Sequence, residues 1–77
     1  GDAATVLIYS ADGIHIKSPT ENIREVTVFD VLGKQLYKQN ARLSSTYSIT
    51  SLMKQNHVLL VQVQLESGQV VTEKVVH

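Results

Sequence analysis

The chain has 77 residues, a length that fits one domain and buries only about 60% of the surface that the unfolded chain exposes. Its hydrophobic fraction of 43% is too high for a disordered tail, and no apolar run approaches the roughly 20 residues of a spanning helix. Seven basic and seven acidic residues give a formal charge of zero, so we predict neither nucleic-acid binding nor membrane insertion.

Turn signals recur along the chain at the spacing of about eight to twelve residues that is typical of a β-sandwich. They fall at residues 12–13, 18–19, 30–33, 40–45, 54–56 and 67–68. The strands predicted between them are residues 5–10, 13–17, 24–30, 34–39, 46–50, 57–65 and 70–76. The predicted fold is therefore all-β, an immunoglobulin-like antiparallel β-sandwich of about seven strands, which forms a single domain over residues 1–77.

Alternation of apolar and polar side chains favours strands over helices. Ile14 and Ile16 are expected to share the inner face of the second strand, because side chains in a strand alternate between faces. The sixth strand repeats this pattern with Leu59, Val61, Val63 and Leu65. A helix over residues 32–43 is disfavoured, since its leucines fit the helical period only in part and Gly33 interrupts it early.

The residues that could carry chemistry are scattered. None of His15, His57 and His77 has a second ligand at zinc-site spacing, and cysteine is absent, so we predict no metal site and no cofactor. His15 is expected to face solvent, His57 to begin a strand, and His77 to end the chain, where it could belong to a tag. Asp30 and Glu66 adjoin predicted turns, no serine lies in a Gly-x-Ser-x-Gly elbow, and the glycines form no phosphate loop. We therefore predict that the chain is not an enzyme.

Four segments, taken in order, carry a resemblance to a known family. Residues 26–37 form a strand ending in an aromatic residue and Asp30, followed by two residues, Gly33, the basic Lys34 and a second strand. Residues 47–52 form an alternating strand that leads to a leucine, residues 58–63 a long apolar strand, and residues 67–76 a Ser-Gly turn followed by a lysine and two valines. Together they resemble the type A C-terminal sorting domains of proteins exported through the bacterial type IX secretion system.

With residues 13–23 similar to the family's first hairpin, the resemblance covers nearly the whole chain. One departure is the segment before the long strand, where the family has a glycine and an aromatic residue and this chain has residues 55–58, Gln-Asn-His-Val. Asn56 can adopt the left-handed conformation that glycine would supply, so the turn can form. The missing aromatic residue places any role of that ring in doubt.

The resemblance implies that the chain is the C-terminal domain of a larger exported protein. It would carry an upstream cargo through the periplasm and across the outer membrane to the cell surface or medium of a Gram-negative bacterium. Its partners would be the translocon, shuttle and sortase of the secretion system, and the sortase typically removes the domain. We expect the recognised residues near the end of the chain: Gly68, Glu73, Lys74, Val75 and Val76. Asp30, Gly33 and Lys34 are expected to form a structural turn.

A receptor could recognise such a domain by adding a strand to an unpaired sheet edge, and the last segment is the candidate for capture. The alternative function is an immunoglobulin-like accessory module that binds carbohydrate or protein within a surface enzyme or adhesin. For that function the sequence offers Tyr37 with Lys34 and Lys38 as the nearest approach to a stacking platform. The simpler interpretation of Tyr37 is an edge tyrosine that packs against its neighbours.

Overall fold

The computed structural model describes residues 6–77, which form seven strands. These are β1 (Leu7–Ser10), β2 (Ile14–Lys17), β3 (Ile23–Asp30), β4 (Gln35–Ser44), β5 (Thr46–Ile49), β6 (Val58–Leu65) and β7 (Val70–Val76). They build a three-stranded sheet in the order β1-β2-β5 and a four-stranded sheet in the order β4-β3-β6-β7, and every pairing is antiparallel. The predicted fold class, an all-β immunoglobulin-like sandwich, is confirmed. Residues 6–77 contain no helix long and apolar enough to cross a membrane.

The core lies between the two sheets and is built by the alternation that the sequence predicts. Ile14 and Ile16 are buried on the inner face of β2, whereas Lys17 on its outer face is exposed. On β6 the four predicted side chains are all buried: Leu59, Val61, Val63 and Leu65. Burying an aliphatic side chain of this size stabilises a fold by about 1.5–3 kcal/mol, so these strands supply much of the stability.

The predicted turn at residues 40–45 is wrong, because β4 continues to Ser44. The pairing with β3 shifts there: Glu25 lies opposite Asn40, and Ile23 lies opposite Ser44. The extra residues form an irregular bulge in which Arg42 has a φ of 56°, and the Asn40 side chain accepts a hydrogen bond of 2.7 Å from the Arg42 backbone N–H. The polar residues that suggested a turn therefore stabilise a break in the register of a longer strand.

The sandwich has two ends that differ in what they carry. The upstream end, where Val6 leads into β1, holds the loop of residues 18–22 and the β6–β7 turn of residues 66–69. The distal end holds the turns of residues 11–13 and 31–34, the loop of residues 50–57, and His77. β1 and β7 run in the same direction, since Ser10 at the end of β1 contacts His77 beyond the end of β7.

Candidate functional site

The turn after β3 gathers the three residues predicted to build it. One carboxylate oxygen of Asp30 accepts hydrogen bonds of 2.9 Å from the backbone N–H groups of both Leu32 and Lys34. The Gly33 N–H donates to the Asp30 carbonyl at 3.0 Å, and Gly33 has a φ of 86°, which glycine adopts without strain. Asp30 thus holds the turn rigid and presents Leu32, which is 91% exposed, at its tip.

The last hairpin begins at the upstream end, where Gly68 lies. Gly68 has a φ of 95°, and its N–H donates to the Leu65 carbonyl at 2.9 Å to close the turn between β6 and β7. The Glu21 carboxylate accepts a hydrogen bond of 2.9 Å from the Ser67 N–H, which ties this turn to the loop before β3. Gly68 therefore has a structural task, and no other predicted recognition residue is near it.

The remaining predicted recognition residues lie along β7 and differ in exposure. Glu73 and Lys74 are exposed, and Val76 is 58% exposed. Val75 is only 7% exposed and belongs to the core, so its side chain is unavailable to a partner in the folded domain. The four residues thus form a strand with one buried anchor among three accessible side chains.

The structure brings the Asp30 turn and the end of β7 to the same end of the sandwich. Asp30 pairs with Leu59, and Leu59 pairs with Val75, so the turn and the end of β7 are separated by one strand. Neighbouring strands lie about 4.8 Å apart, which places the two groups roughly 10 Å from each other. Gly68 lies at the opposite end.

His77, which the sequence left as a possible tag residue, is 1% exposed. Its Nε2 donates to the Leu52 carbonyl at 3.0 Å, because a carbonyl oxygen can only accept. In the neutral ring Nδ1 then accepts a hydrogen bond of 2.7 Å from the Ser10 hydroxyl. The backbone N–H of His77 donates to the His57 carbonyl at 2.9 Å, and its carbonyl accepts from Gln55 at 2.6 Å. His77 therefore fastens the end of β7 to the smaller sheet and to the distal loop.

The loop before β6 contains the left-handed residue expected at Asn56. Asn56 has a φ of 56°, in the left-handed region that asparagine tolerates better than most residues. His57 after it is exposed, and it lies one residue before β6, which begins at Val58 and not at His57 as predicted. The chain therefore bends at Asn56 without a glycine.

Tyr37 is not the centre of a stacking platform. Its ring packs against the core, and its hydroxyl is hydrogen bonded to that of Tyr47 across the sandwich. Burial, together with the hydrogen bond and the charge interaction with Tyr47, raises the pKa of Tyr37 to about 12. Lys38 points to the other face of β4, where it lies 3.9 Å from the Glu25 carboxylate, and Lys34 lies in the Asp30 turn. The three residues that the sequence grouped are thus directed to different surfaces.

A different group of polar side chains meets on the outer face of the smaller sheet. Tyr9, His15 and Ser48 lie side by side on β1, β2 and β5. The rings of Tyr9 and His15 are 5.3 Å apart, and His15 Nδ1 is 2.9 Å from the Ser48 hydroxyl. Serine catalysis also needs a group that orients the histidine, and within residues 6–77 no carboxylate is hydrogen bonded to His15. Residues so far apart in sequence could be grouped only once the strand pairing was known.

The part of the chain that the structure describes contains no cluster of metal-ligating side chains. No three residues among its His, Asp and Glu side chains lie close enough together to hold an ion.

Fold and strand arrangement define the class of the protein as an immunoglobulin-like β-sandwich domain with its last strand at a sheet edge. The chain belongs to the family described as Domain of unknown function (DUF8694), whose model matches residues 1–77. No curated protein matches the sequence.

Proposed function

We propose that the chain is a C-terminal sorting domain that directs an upstream cargo through the type IX secretion system. The export machinery recognises it, carries the cargo through the periplasm and across the outer membrane, and a sortase removes the domain at the cell surface. The domain acts as a binding module and performs no chemistry itself.

The observation that carries the proposal is where the family-like segments lie. Residues 26–37 form the β3–β4 hairpin, residues 58–63 lie on β6, and residues 67–76 form the last turn and β7. These three segments reach all four strands of the larger sheet, whereas residues 13–23 and 47–52 contain β2 and most of β5 in the smaller sheet. Most of the pattern on which the resemblance rests therefore lies in the larger sheet, where β7 is an edge strand.

The positions of the first and last described residues, Val6 and His77, fit this role. Val6 leads into the sandwich at the upstream end, and His77 lies at the distal end. A cargo that precedes the domain therefore leaves from the end opposite to Val76 and His77. The distal half of β7 stays accessible to a receptor while the cargo is attached.

The first experiment expresses residues 1–77 behind a periplasm-directed fluorescent protein in a bacterium that has a type IX system. Fluorescence is measured at the cell surface, in the medium and in the periplasm. We expect export of the fusion and none of the reporter alone. Retention of the intact, fluorescent fusion in the periplasm would show that the domain is no sorting signal.

The second experiment locates the signal. Deleting residues 73–77 is expected to block export, but it also removes the buried Val75 and His77. A sharper variant replaces Glu73 and Lys74 with alanine, because both side chains are exposed and the core is left intact. Export is expected to fall severalfold.

The matched control also removes one acidic and one basic residue from the larger sheet, but on β3 and β4, away from β7. Glu25 and Lys38 are both changed to alanine. This pair is solvent-exposed in part and contributes about 0–1 kcal/mol, so folding is conserved. Equal loss of export in both double variants would mean that general charge, and not β7, is read.

A second candidate function is an accessory module that binds carbohydrate or a protein neighbour. The outer face of the smaller sheet favours it, since Tyr9 is 43% exposed and its ring lies beside that of His15. Aromatic rings at such positions stack on sugars and other flat apolar surfaces. A glycan array compares the wild-type domain with Tyr9→Ala, and absence of any glycan bound through Tyr9 removes the carbohydrate form of this candidate.

A further inference from the structure

The two sheets have four edge strands, and they differ in how open they are to pairing. β1 and β5 have only 4 residues each. β4 has 10 residues, but its register with β3 is broken and Arg42 and Leu43 have positive φ values, a bulge that disfavours pairing with another strand. β7 has 7 residues in unbroken register with β6. It is therefore the long, regular edge of the molecule.

The register fixes which backbone groups of β7 are unpaired. The Leu65 N–H donates to the Gln69 carbonyl, and the His77 N–H donates to the His57 carbonyl, and both are bonds between direct partners. Direct bonding alternates along an antiparallel pair, so the odd-numbered residues of β7 bond to β6. The N–H and C=O groups of the even-numbered residues then point away from the sheet: Val70, Thr72, Lys74 and Val76. Within residues 6–77 no strand other than β6 pairs with β7.

The side chains beside these unpaired groups leave room for another strand. Val70 is 49% exposed and Val76 is 58% exposed, and Thr72 and Lys74 between them are exposed as well. β1 lies across the seam from β7 and contacts it through Ser10 and His77, without a backbone ladder between the two strands. Of the devices that usually protect an edge, β7 has two charged residues, Glu73 and Lys74, and neither a proline nor a bulge.

We propose that an extended segment of the export machinery adds to β7 as a fifth strand of the larger sheet, which deepens the function proposed above and rests on it. The complement of four pairs of outward N–H and C=O groups is the backbone of another strand, since only an extended chain repeats donors and acceptors at the same spacing. Side chains directly opposite each other share a face. The partner strand therefore has apolar residues opposite Val70 and Val76 and an acidic residue opposite Lys74.

This proposal changes which residues of the last strand do the binding. The sequence assigned recognition to consecutive residues up to Val76, among them Glu73 and Val75. In the structure the backbone groups of Glu73 and Val75 are bonded to β6, and the Val75 side chain is in the core. The backbone groups that are free to bond to a partner strand include those of Val70 and Thr72, neither of which was predicted from the sequence as a recognition residue.

The test introduces proline at an outward position, where the lost N–H belongs to the free edge and the β6–β7 ladder keeps its bonds. Thr72→Pro is compared with Thr72→Val, which changes the side chain and keeps the N–H. Lys74→Pro is compared with Lys74→Val in the same way. All four domains are fused to the fluorescent reporter, and their thermal unfolding is measured on the purified 77-residue chain.

We expect each proline variant to reduce export about tenfold or more relative to its valine partner, because a hydrogen bond is lost and the ring obstructs the incoming strand. A proline variant counts only if it still unfolds cooperatively above the growth temperature, and one such variant with its valine partner is enough for the comparison. Undiminished export of a folded proline variant would overturn strand addition while leaving the sorting function intact. Failure of the wild-type fusion to be exported would instead overturn the function itself.

A second copy of the chain is the competing occupant of this edge. Light scattering on the purified domain distinguishes the two cases, because a strand from the machinery leaves the isolated domain monomeric. A wild-type dimer that Thr72→Pro converts to a monomer would assign the edge to self-association and overturn the proposal.

Discussion

Replacing His77 with alanine tests whether the last residue stabilises the sandwich. The ring makes two hydrogen bonds, to the Ser10 hydroxyl at 2.7 Å and to the Leu52 carbonyl at 3.0 Å, and it is 1% exposed. Each such bond contributes about 1 kcal/mol, and a cavity or an unpaired carbonyl adds to the loss. We therefore expect the free energy of unfolding to fall by about 2–4 kcal/mol.

That loss is large for a domain of this length. At about 0.05–0.15 kcal/mol per residue, a 77-residue chain has a total stability of roughly 4–12 kcal/mol. Small domains lose about 4–8 °C in Tm for each kcal/mol, so the expected decrease is roughly 10–30 °C. Urea unfolding monitored by circular dichroism gives the free energy, and a thermal scan gives Tm.

Two further variants make this measurement decisive. Ser10→Ala removes one of the two bonds and is expected to cost about 1 kcal/mol, with less than additive loss when it is combined with His77→Ala. His57→Ala, at an exposed ring, is expected to stay within about 0.5 kcal/mol of the wild type. If His77→Ala and His57→Ala prove equally mild, the idea that His77 fastens β7 to the smaller sheet is wrong.

Three other predictions follow from local geometry. Asp30→Ala, which removes the acceptor of two backbone bonds, is expected to cost about 1–2 kcal/mol in urea unfolding, and Asp30→Asn less; equal costs would mean that the carboxylate is not the cap. Gly13→Ala is expected to lower the free energy of unfolding more than Gly33→Ala in the same assay. A Cβ on Gly13 would overlap the Ile49 carbonyl, whereas a Cβ on Gly33 would meet open space and only the positive φ would be strained. A larger loss for Gly33→Ala would contradict this reasoning. Since the pKa of Tyr37 is raised from about 10 to about 12, the unfolded chain releases this proton first, so this contribution to stability is complete below pH 10 and is lost between pH 10 and 12. Ultraviolet titration should show one late tyrosine that Tyr37→Phe removes, and a Tyr37→Phe protein with the same late step would refute the assignment.

Strand positions were predictable because their signal is local. Ile14 and Ile16 alternate with polar neighbours, and the buried face of β6 can be traced residue by residue, so a period of two was enough. The Asp30 turn was predictable for the same reason, since aspartate accepts bonds from backbone groups only two and four residues away. Interactions within about five residues thus account for what the sequence foretold.

What escaped prediction depends on pairing between distant residues. Asn40 and Arg42 have the composition of a turn, and only the pairing of Ile23 with Ser44 turns the segment into a bulge. The contact between Ser10 and His77 joins residues 67 positions apart. No local pattern distinguishes a terminal histidine that is buried from one that is free.

The parallel course of β1 and β7 has a mechanical consequence. Val6 and His77 lie at opposite ends of the sandwich, so a force that separates them acts along both strands. The hydrogen bonds that join β1 to β2 and β7 to β6 run across that direction, and they bear the load together instead of opening one at a time. A domain pulled by its ends therefore resists extension more strongly than its small core suggests, whereas a force that peels β7 sideways from Val76 breaks the ladder bond by bond.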